Sequence, residues 1–403
     1  MSKHNCKRVF ILSEKSDRCE CCCSTHSCTT CRKFKQMVSV FNIVGNVFVV
    51  VGLQLRKSTN WKRMVSIFMG IFMHLFLIYR CFVLNDRIKK SHYSLQMGIL
   101  ITMREGMILV MWHSVYAQRT KISELFNSFL KISHSFPHKK YRMWDRILYT
   151  LLASIFVYSL IVSVVMTAVL SNTEAKDYLY LTLFGTVIEE SPQALVFILY
   201  CVFNFYILTL PFLVSITYVY LCCHLRRMLS LCTKRLFRCR SLDELEYVFQ
   251  QAMGLFFVIK KLEASFSVCV FFVAAFNLTL AFTCFAYGLG YYETRNSVTA
   301  GVVAWLFGNK LSFIFISWTA ANVMKELQNL KTTFQVALSN LERNVATLIF
   351  YQKLSVFDAV SLTGWEMFHL SKGLILTTFS CILTYGLLLF QTLNYEDPDE
   401  QDN

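Results

Sequence analysis

The sequence predicts an all-α polytopic membrane protein with seven transmembrane helices, a cytoplasmic amino terminus, an extracellular carboxyl terminus and long cytoplasmic helical extensions. Three observations predict it. Apolar residues make up 55% of the 403 and charged residues only 16%, with 36 Phe and 19 Tyr, far from the balance of a soluble domain. Runs of about 20 apolar residues recur along the chain, the length a helix needs to cross hydrocarbon. Lys and Arg gather in alternate connections between those runs, because basic segments resist translocation and collect in the cytoplasm.

Residues 1–63 form a basic amino-terminal region. Its first 36 residues are polar and charged, so no cleavable signal is apparent and the first span must act as its own insertion signal. An apolar run, Met37 to Leu55, follows. It either crosses, giving eight spans, or lies along the inner surface as an interfacial segment, 37–55. The clear spans are 64–84, 94–116, 147–170, 196–221, 266–289, 300–321 and 373–392. The first six define a transmembrane region, 64–321, and 322–372 is a cytoplasmic helical region before the last span. Residues 393–403 are an acidic extracellular tail, with Glu396, Asp397, Asp399, Glu400 and Asp402. The tail reads as solvated surface or as a means of concentrating cations near a pore mouth.

Charge decides the topology. With seven spans and a cytoplasmic start, the inner segments hold 32 Lys and Arg and the outer segments 5. If Met37 to Leu55 crossed while the other spans kept their orientation, the ratio would fall to 24 against 13. Seven spans with the amino terminus inside is therefore the preferred reading. A seven-helix receptor coupled to G proteins has the opposite orientation. Moreover, the predicted outer loops contain no cysteine for a disulfide, and neither Asp-Arg-Tyr nor Asn-Pro-x-x-Tyr occurs. A transporter is the third reading, but no internal repeat or matching pair of broken helices is visible. The net charge of +15 suits inner loops facing anionic lipid and does not argue for nucleic acid. There is no His-Glu-x-x-His, Gly-x-Ser-x-Gly or phosphate-binding glycine loop, so no catalytic residue, metal or cofactor is assigned. Glu189-Glu190 is the only Glu-Glu pair and reads as a helix start, a loop surface or a pocket entrance.

The two long inner connections carry helical patterns. Ser241-Leu-Asp-Glu244 has capping-box form, followed by Leu245, Val248, Phe249, Ala252, Phe256, Ile259 and Leu262 leading into the fifth span. From Leu327, residues Leu330, Phe334, Leu338, Leu341, Val345 and Leu348 predict one further helix with an apolar face. These helices serve packing within one subunit or assembly between subunits. Seven of the 16 cysteines lie in the first 36 residues. Cys19/Cys22 and Cys28/Cys31 are too closely spaced for a usual zinc motif, and reversible acylation is the better functional reading there. Cys222, Cys223, Cys232 and Cys239 share that reading in weaker form.

Charges inside spans are the candidate binding groups, since each is costly unless paired or hydrated. Arg104 and Glu105 lie at the middle of the second span and Lys310 at the middle of the sixth. Glu105 and Lys310 share a depth, so they either pair between spans, fixing helix register, or line a ligand pocket. Trp305 would add an aromatic wall and Asn309 a polar contact, with Tyr200 and Asn204 as weaker candidates on the fourth span. Arg80 is expected to snorkel, and His74 to hydrogen-bond between helices. In the last span Thr377, Ser380, Thr384 and Gln391, with Leu387 or Leu388 between, share one face at three- and four-residue steps. The stripe serves close helix packing or lines a water-filled conduit.

That span contains Thr384-Tyr385-Gly386-Leu387-Leu388-Leu389-Phe390-Gln391-Thr392. The string resembles the signature closing the last helix of insect gustatory receptors and related chemosensory receptors: Thr-Tyr, five mostly apolar residues, Gln, then usually Phe. Thr392 departs from it. The inverted seven-span layout and the loop lengths extend the resemblance over most of the chain. It implies a homotetramer or a heterotetramer with related subunits, forming a cation channel in the cell membrane opened by a small-molecule ligand such as a tastant. The second and sixth helices would line the ligand cavity and the inner extensions would bundle the subunits. Thr377, Ser380, Thr384, Tyr385, Leu387, Leu388 and Gln391 would form the pore and gate. Gly386 stands where sugar-sensing members tend to carry Glu, which makes a sugar the less expected ligand.

Overall fold

The computed structural model describes residues 41–55, 59–89, 95–133, 135–136, 141–171, 181–183, 186–188, 193–239, 241–288, 298–340 and 345–395. A short helix, α1 (Phe41–Val50), precedes α2 (Asn60–Lys89), α3 (Leu95–Ser133), α4 (Tyr141–Ser171), α5 (Gln193–Leu236), α6 (Leu242–Gly288) and α7 (Val298–Ser339). Then come α8 (Val345–Leu354), a 3-10 turn (Ser355–Ala359) and α9 (Lys372–Tyr395). Two small antiparallel pairs complete the description, β1 (Leu181–Leu183) with β2 (Thr186–Ile188), and β3 (Thr363–Gly364) with β4 (Phe368–His369).

Helices α2, α4, α5 and α6 each hold an apolar stretch long enough to span a bilayer, whereas in α3 and α7 the corresponding stretch is interrupted by Arg104, Glu105 and Lys310. At 44 and 47 residues, α5 and α6 are about 65–70 Å long, twice the hydrocarbon thickness. Their lower halves continue into the segment between the fourth and fifth spans, where α5 ends in a turn at Phe237 and Arg238. Ser241 caps α6, its Oγ accepting the Glu244 backbone N–H at 3.3 Å. All seven apolar positions read in that segment, from Leu245 to Leu262, are buried. They pack with the lower halves of α3, α5 and α7 around Phe249, whose ring meets those of Phe334, Phe350 and Phe357 edge-on at 5.5–6.1 Å.

The single helix expected from Leu327 to Leu348 is instead two. Leu327, Leu330, Phe334 and Leu338 are buried as expected, but α7 ends at Ser339 and turns at Asn340. Chain direction then changes, so α8 meets the core through Phe350 and Leu354 and leaves Leu348 72% exposed. Periodicity cannot see a break that falls between in-phase residues. Lys331 of α7 and Asp358 of the 3-10 turn hold the fold-back together, Nζ to Oδ1 at 2.6 Å.

Helix α1 stands along α3. Phe41 packs on Phe126 at 4.6 Å, while at its other end the Val51 carbonyl oxygen accepts the Trp112 indole N–H at 3.0 Å. Those partners are 14 residues apart on α3, about 21 Å. The chain then turns at Gly52, whose φ of 81° favours glycine, and a Cβ there would lie 2.7 Å from the Cα of Gly70. The ten described residues of α1 are about 15 Å long, half of what a crossing requires.

Candidate ligand site and pore helix

Six polar residues of the spans share one depth. Arg80, Glu105, Ser163, Asn204, Asn277 and Lys310 each lie 8 to 12 residues from the outer end of their helix, a depth of roughly 15 Å at 1.5 Å per residue. Within the layer the pairing differs from expectation. Glu105 Oε1 meets Arg80 Nη2 at 3.3 Å and Arg104 Nη2 at 3.5 Å, and Arg104 and Glu105 are both buried. Lys310 Nζ instead donates to the Asn277 carbonyl oxygen at 3.2 Å. The Glu105–Lys310 pair is therefore not formed, because α2 stands beside α3 and brings Arg80 to the carboxylate first. Arg80 does not escape to the outer surface, and the long Arg104 side chain folds back along the helix to its neighbour Glu105.

Elsewhere in the layer, Asn204 Nδ2 donates to Ser163 Oγ at 3.0 Å, and that hydroxyl donates to the Ser159 carbonyl oxygen at 2.8 Å. This fixes the amide orientation. It leaves Asn204 Oδ1 buried without a partner, as is Asn277 Oδ1, whose Nδ2 donates to the Val273 carbonyl oxygen. The side chains of Tyr200, Trp305 and Asn309 lie outside the described residues, as do the amino-terminal cysteines, Glu189-Glu190, Thr392 and the acidic tail.

His74 bridges helices as expected. Its Nδ1 lies 2.7 Å from the Gly70 carbonyl oxygen and its Nε2 3.2 Å from His113 Nε2. The carbonyl requires a proton on His74 Nδ1, so His113 Nε2–H is the donor in the second bond. Sequence reasoning missed an aromatic cleft of about 380 Å³ between α2, α4 and α5, lined by Phe68, Phe72, Phe156, Phe205 and Tyr206 among others. The abundance of Phe was its only trace in the sequence. Cys222 and Cys232 are fully buried, which removes the acylation reading for both, and burial together with the Glu244 carboxylate pushes the Cys239 thiol up.

Helix α9 is turned so that its polar stripe faces away from the other described residues. Ile382 and Gly386 are buried, with Ile375 and Thr378 half-buried on the same side. At about 100° per residue, Thr377, Ser380, Thr384, Leu388 and Gln391 centre on the opposite side, with Leu387 at its margin, and all six are exposed. The Thr377 and Thr384 hydroxyls donate to the carbonyl oxygens of Gly373 and Ser380, which satisfies their hydrogen atoms and leaves oxygen lone pairs outward. Tyr385 departs from the expected lining. It stands on the flank, its ring 6.1 Å from that of Phe282 on α6.

No family profile and no curated protein matches the chain. Solved structures do. The insect olfactory receptor OR5 from Machilis hrabei superposes with a TM-score of 0.68 at 15% identity, covering 89% of this chain and 100% of that one. The same receptor in complex with eugenol gives 0.68 at 16% identity with the same coverage. The likeness establishes the fold: this chain has the all-α polytopic architecture of that olfactory receptor.

Proposed function

We propose that this chain is a gustatory-receptor-like, ligand-gated cation channel of the cell membrane, its pore formed by the last helix of four identical or related subunits. The observation that carries the reading is the direction of the α9 stripe. Hydroxyl and amide groups in a membrane helix are costly to present to lipid, and here they point away from the described helices of their own chain. Copies arranged about an axis would place them around a shared aqueous path, with Gln391 near its outer end.

The ligand is a small organic molecule held in the outer half, above the polar layer. Asn204 and Lys310 supply polar groups from α5 and α7, and Tyr200, Trp305 and Asn309 are the further contacts that the sequence suggests. The unpartnered Asn204 Oδ1 and Asn277 Oδ1 favour a ligand carrying a hydroxyl or N–H donor. Arg104 and Glu105, engaged with Arg80, fix α2 against α3 at its margin. Eugenol in the OR5 complex is a ligand of this size.

The test is to express the chain in heterologous cells and record cation current during a tastant screen with G-protein signalling blocked. Current that survives supports the channel, and a response abolished by the block returns the G-protein-coupled reading. Gln391→Ala should alter basal current or selectivity, while Gln391→Glu should favour divalent cations by adding a carboxylate ring. Unchanged permeation in both variants, normally expressed, would place the pore elsewhere.

A further inference from the structure

The strand pair preceding α9 holds a conformation its own sequence does not favour. Trp365 and Glu366 both lie in the left-handed region, with φ of 50° and 58°, and the Met367 N–H closes the turn on the Gly364 carbonyl oxygen at 2.9 Å. Two successive left-handed residues in a hairpin turn are ordinarily Asn-Gly or Gly-Gly. Trp-Glu persists there only if the surroundings over-determine it.

Helix α6 does so from one face, through residues four apart. Thr363 donates its backbone N–H to Glu263 Oε2 at 2.9 Å and its hydroxyl to Glu263 Oε1. The Thr363 hydroxyl oxygen accepts the Glu366 N–H at 3.2 Å, so the carboxylate holds one left-handed residue through the threonine. Trp365 N–H donates to the Ser267 carbonyl oxygen at 3.1 Å, and its ring packs edge-on against Phe271 at 5.4 Å. Phe368 covers Gly364 so closely that a Cβ would meet its ring at 2.4 Å. Immediately beyond, Ser371 Oγ accepts the Leu374 N–H at 3.2 Å, and Lys372 Nζ lies 4.1 Å from the Trp318 ring centre on α7. Nothing slack intervenes between α6 and the first turn of α9.

We propose that the 361–370 hairpin is a rigid joint through which movement of α6 reaches the inner end of α9, and that Glu263 is the positioning residue that sets it. The proposal rests on the reading of α9 as the pore helix. Ligand-driven displacement of α6, which touches the polar layer at Asn277, would then turn or translate α9 from below instead of being absorbed in a loop.

Two measurements on the full chain test it without a known ligand. The first is thermal melting of detergent-solubilised protein. Glu263→Ala and Thr363→Val should each lower the melting temperature, with the double variant no worse than the lower single one, because both remove the same contact. Thr363→Ser, which keeps the hydroxyl, should resemble the parent. Additive losses would overturn the joint. The second is the rate at which a charged external thiol reagent modifies Leu388→Cys in a Cys381→Ser background. Glu263→Ala or Thr363→Val should shift that rate by about fivefold or more, the scale of a coupled pair, with rescue by Thr363→Ser. A reactive cysteine whose rate ignores both substitutions would reduce the hairpin to packing and overturn this proposal alone. A cysteine unreactive even in the otherwise unchanged chain would overturn the pore reading beneath it.

Discussion

At the scale of single residues, the charges were legible in the sequence and their partners were not. Depth along a helix follows from counting, which is why Arg104, Glu105 and Lys310 were placed at one level. Which neighbour is reached depends on helix order around the bundle, and no periodicity encodes it. The Arg80–Glu105–Arg104 cluster gives a direct test. Glu105→Leu would leave the buried Arg104 and the part-buried Arg80 without their shared carboxylate and should cost about 3–5 kcal/mol, seen as loss of folded protein on gel filtration in detergent. Lys310→Met removes the hydrogen bond to the Asn277 carbonyl oxygen and should cost about 1–3 kcal/mol. The two effects should add, since the groups do not meet, and exchanging Glu105 with Lys310 should recover nothing. A swap that restored expression would show that the residues meet after all. The face of α9, by contrast, was legible apart from Tyr385, because one helix's own spacing fixes which residues share a side; what the fold added is that this side points away from the other described residues.

At the scale of elements, boundaries in the long helices were predictable where a cap marks them and not where a pattern continues across a break. Ser241 announced the start of α6, but nothing in the spacing of Leu338, Leu341, Val345 and Leu348 announced the turn at Asn340. Two substitutions separate one helix from two. Phe334→Ala, at the centre of the Phe249 and Phe357 cluster, should cost about 3–5 kcal/mol, whereas Leu348→Ser should stay within about 0.5 kcal/mol of the parent. Equal losses in thermal melting would mean that Leu348 faces the core and α7 runs on. The α1 turn offers a similar contrast. Gly45→Ala meets nothing within 4 Å and should stabilise the helix by up to about 1 kcal/mol. Gly52→Ala must adopt a positive φ and displace the Gly70 backbone, and should lower the yield of folded protein. If both were tolerated alike, α1 would not be pressed against α2 at this point.

At the scale of the whole molecule, orientation follows from two independent arguments that meet. The lengths of α3, α5, α6 and α7 in excess of a bilayer all lie at the same end, the end where α3, α5 and α7 finish and α6 begins. A packed bundle carrying Arg226, Lys261, Lys331 and Asp358 at its surface belongs in water, so that end is outside the membrane. We propose which water from the sequence: its seven-span reading assigns 32 Lys and Arg to the connections at that end and 5 to those at the other, the bias of a cytoplasmic side. On that reading α9, which begins at the bundle end, has its Gln391 end at the outer surface. An epitope placed after Asn403 should therefore be reached by antibody on intact cells, while one placed before Ser2, or within 341–344 between α7 and α8, should be reached only after permeabilisation. Labelling in the opposite sense would invert the pore, place Gln391 at the cytoplasmic mouth, and make external thiol reagents the wrong probe of the stripe.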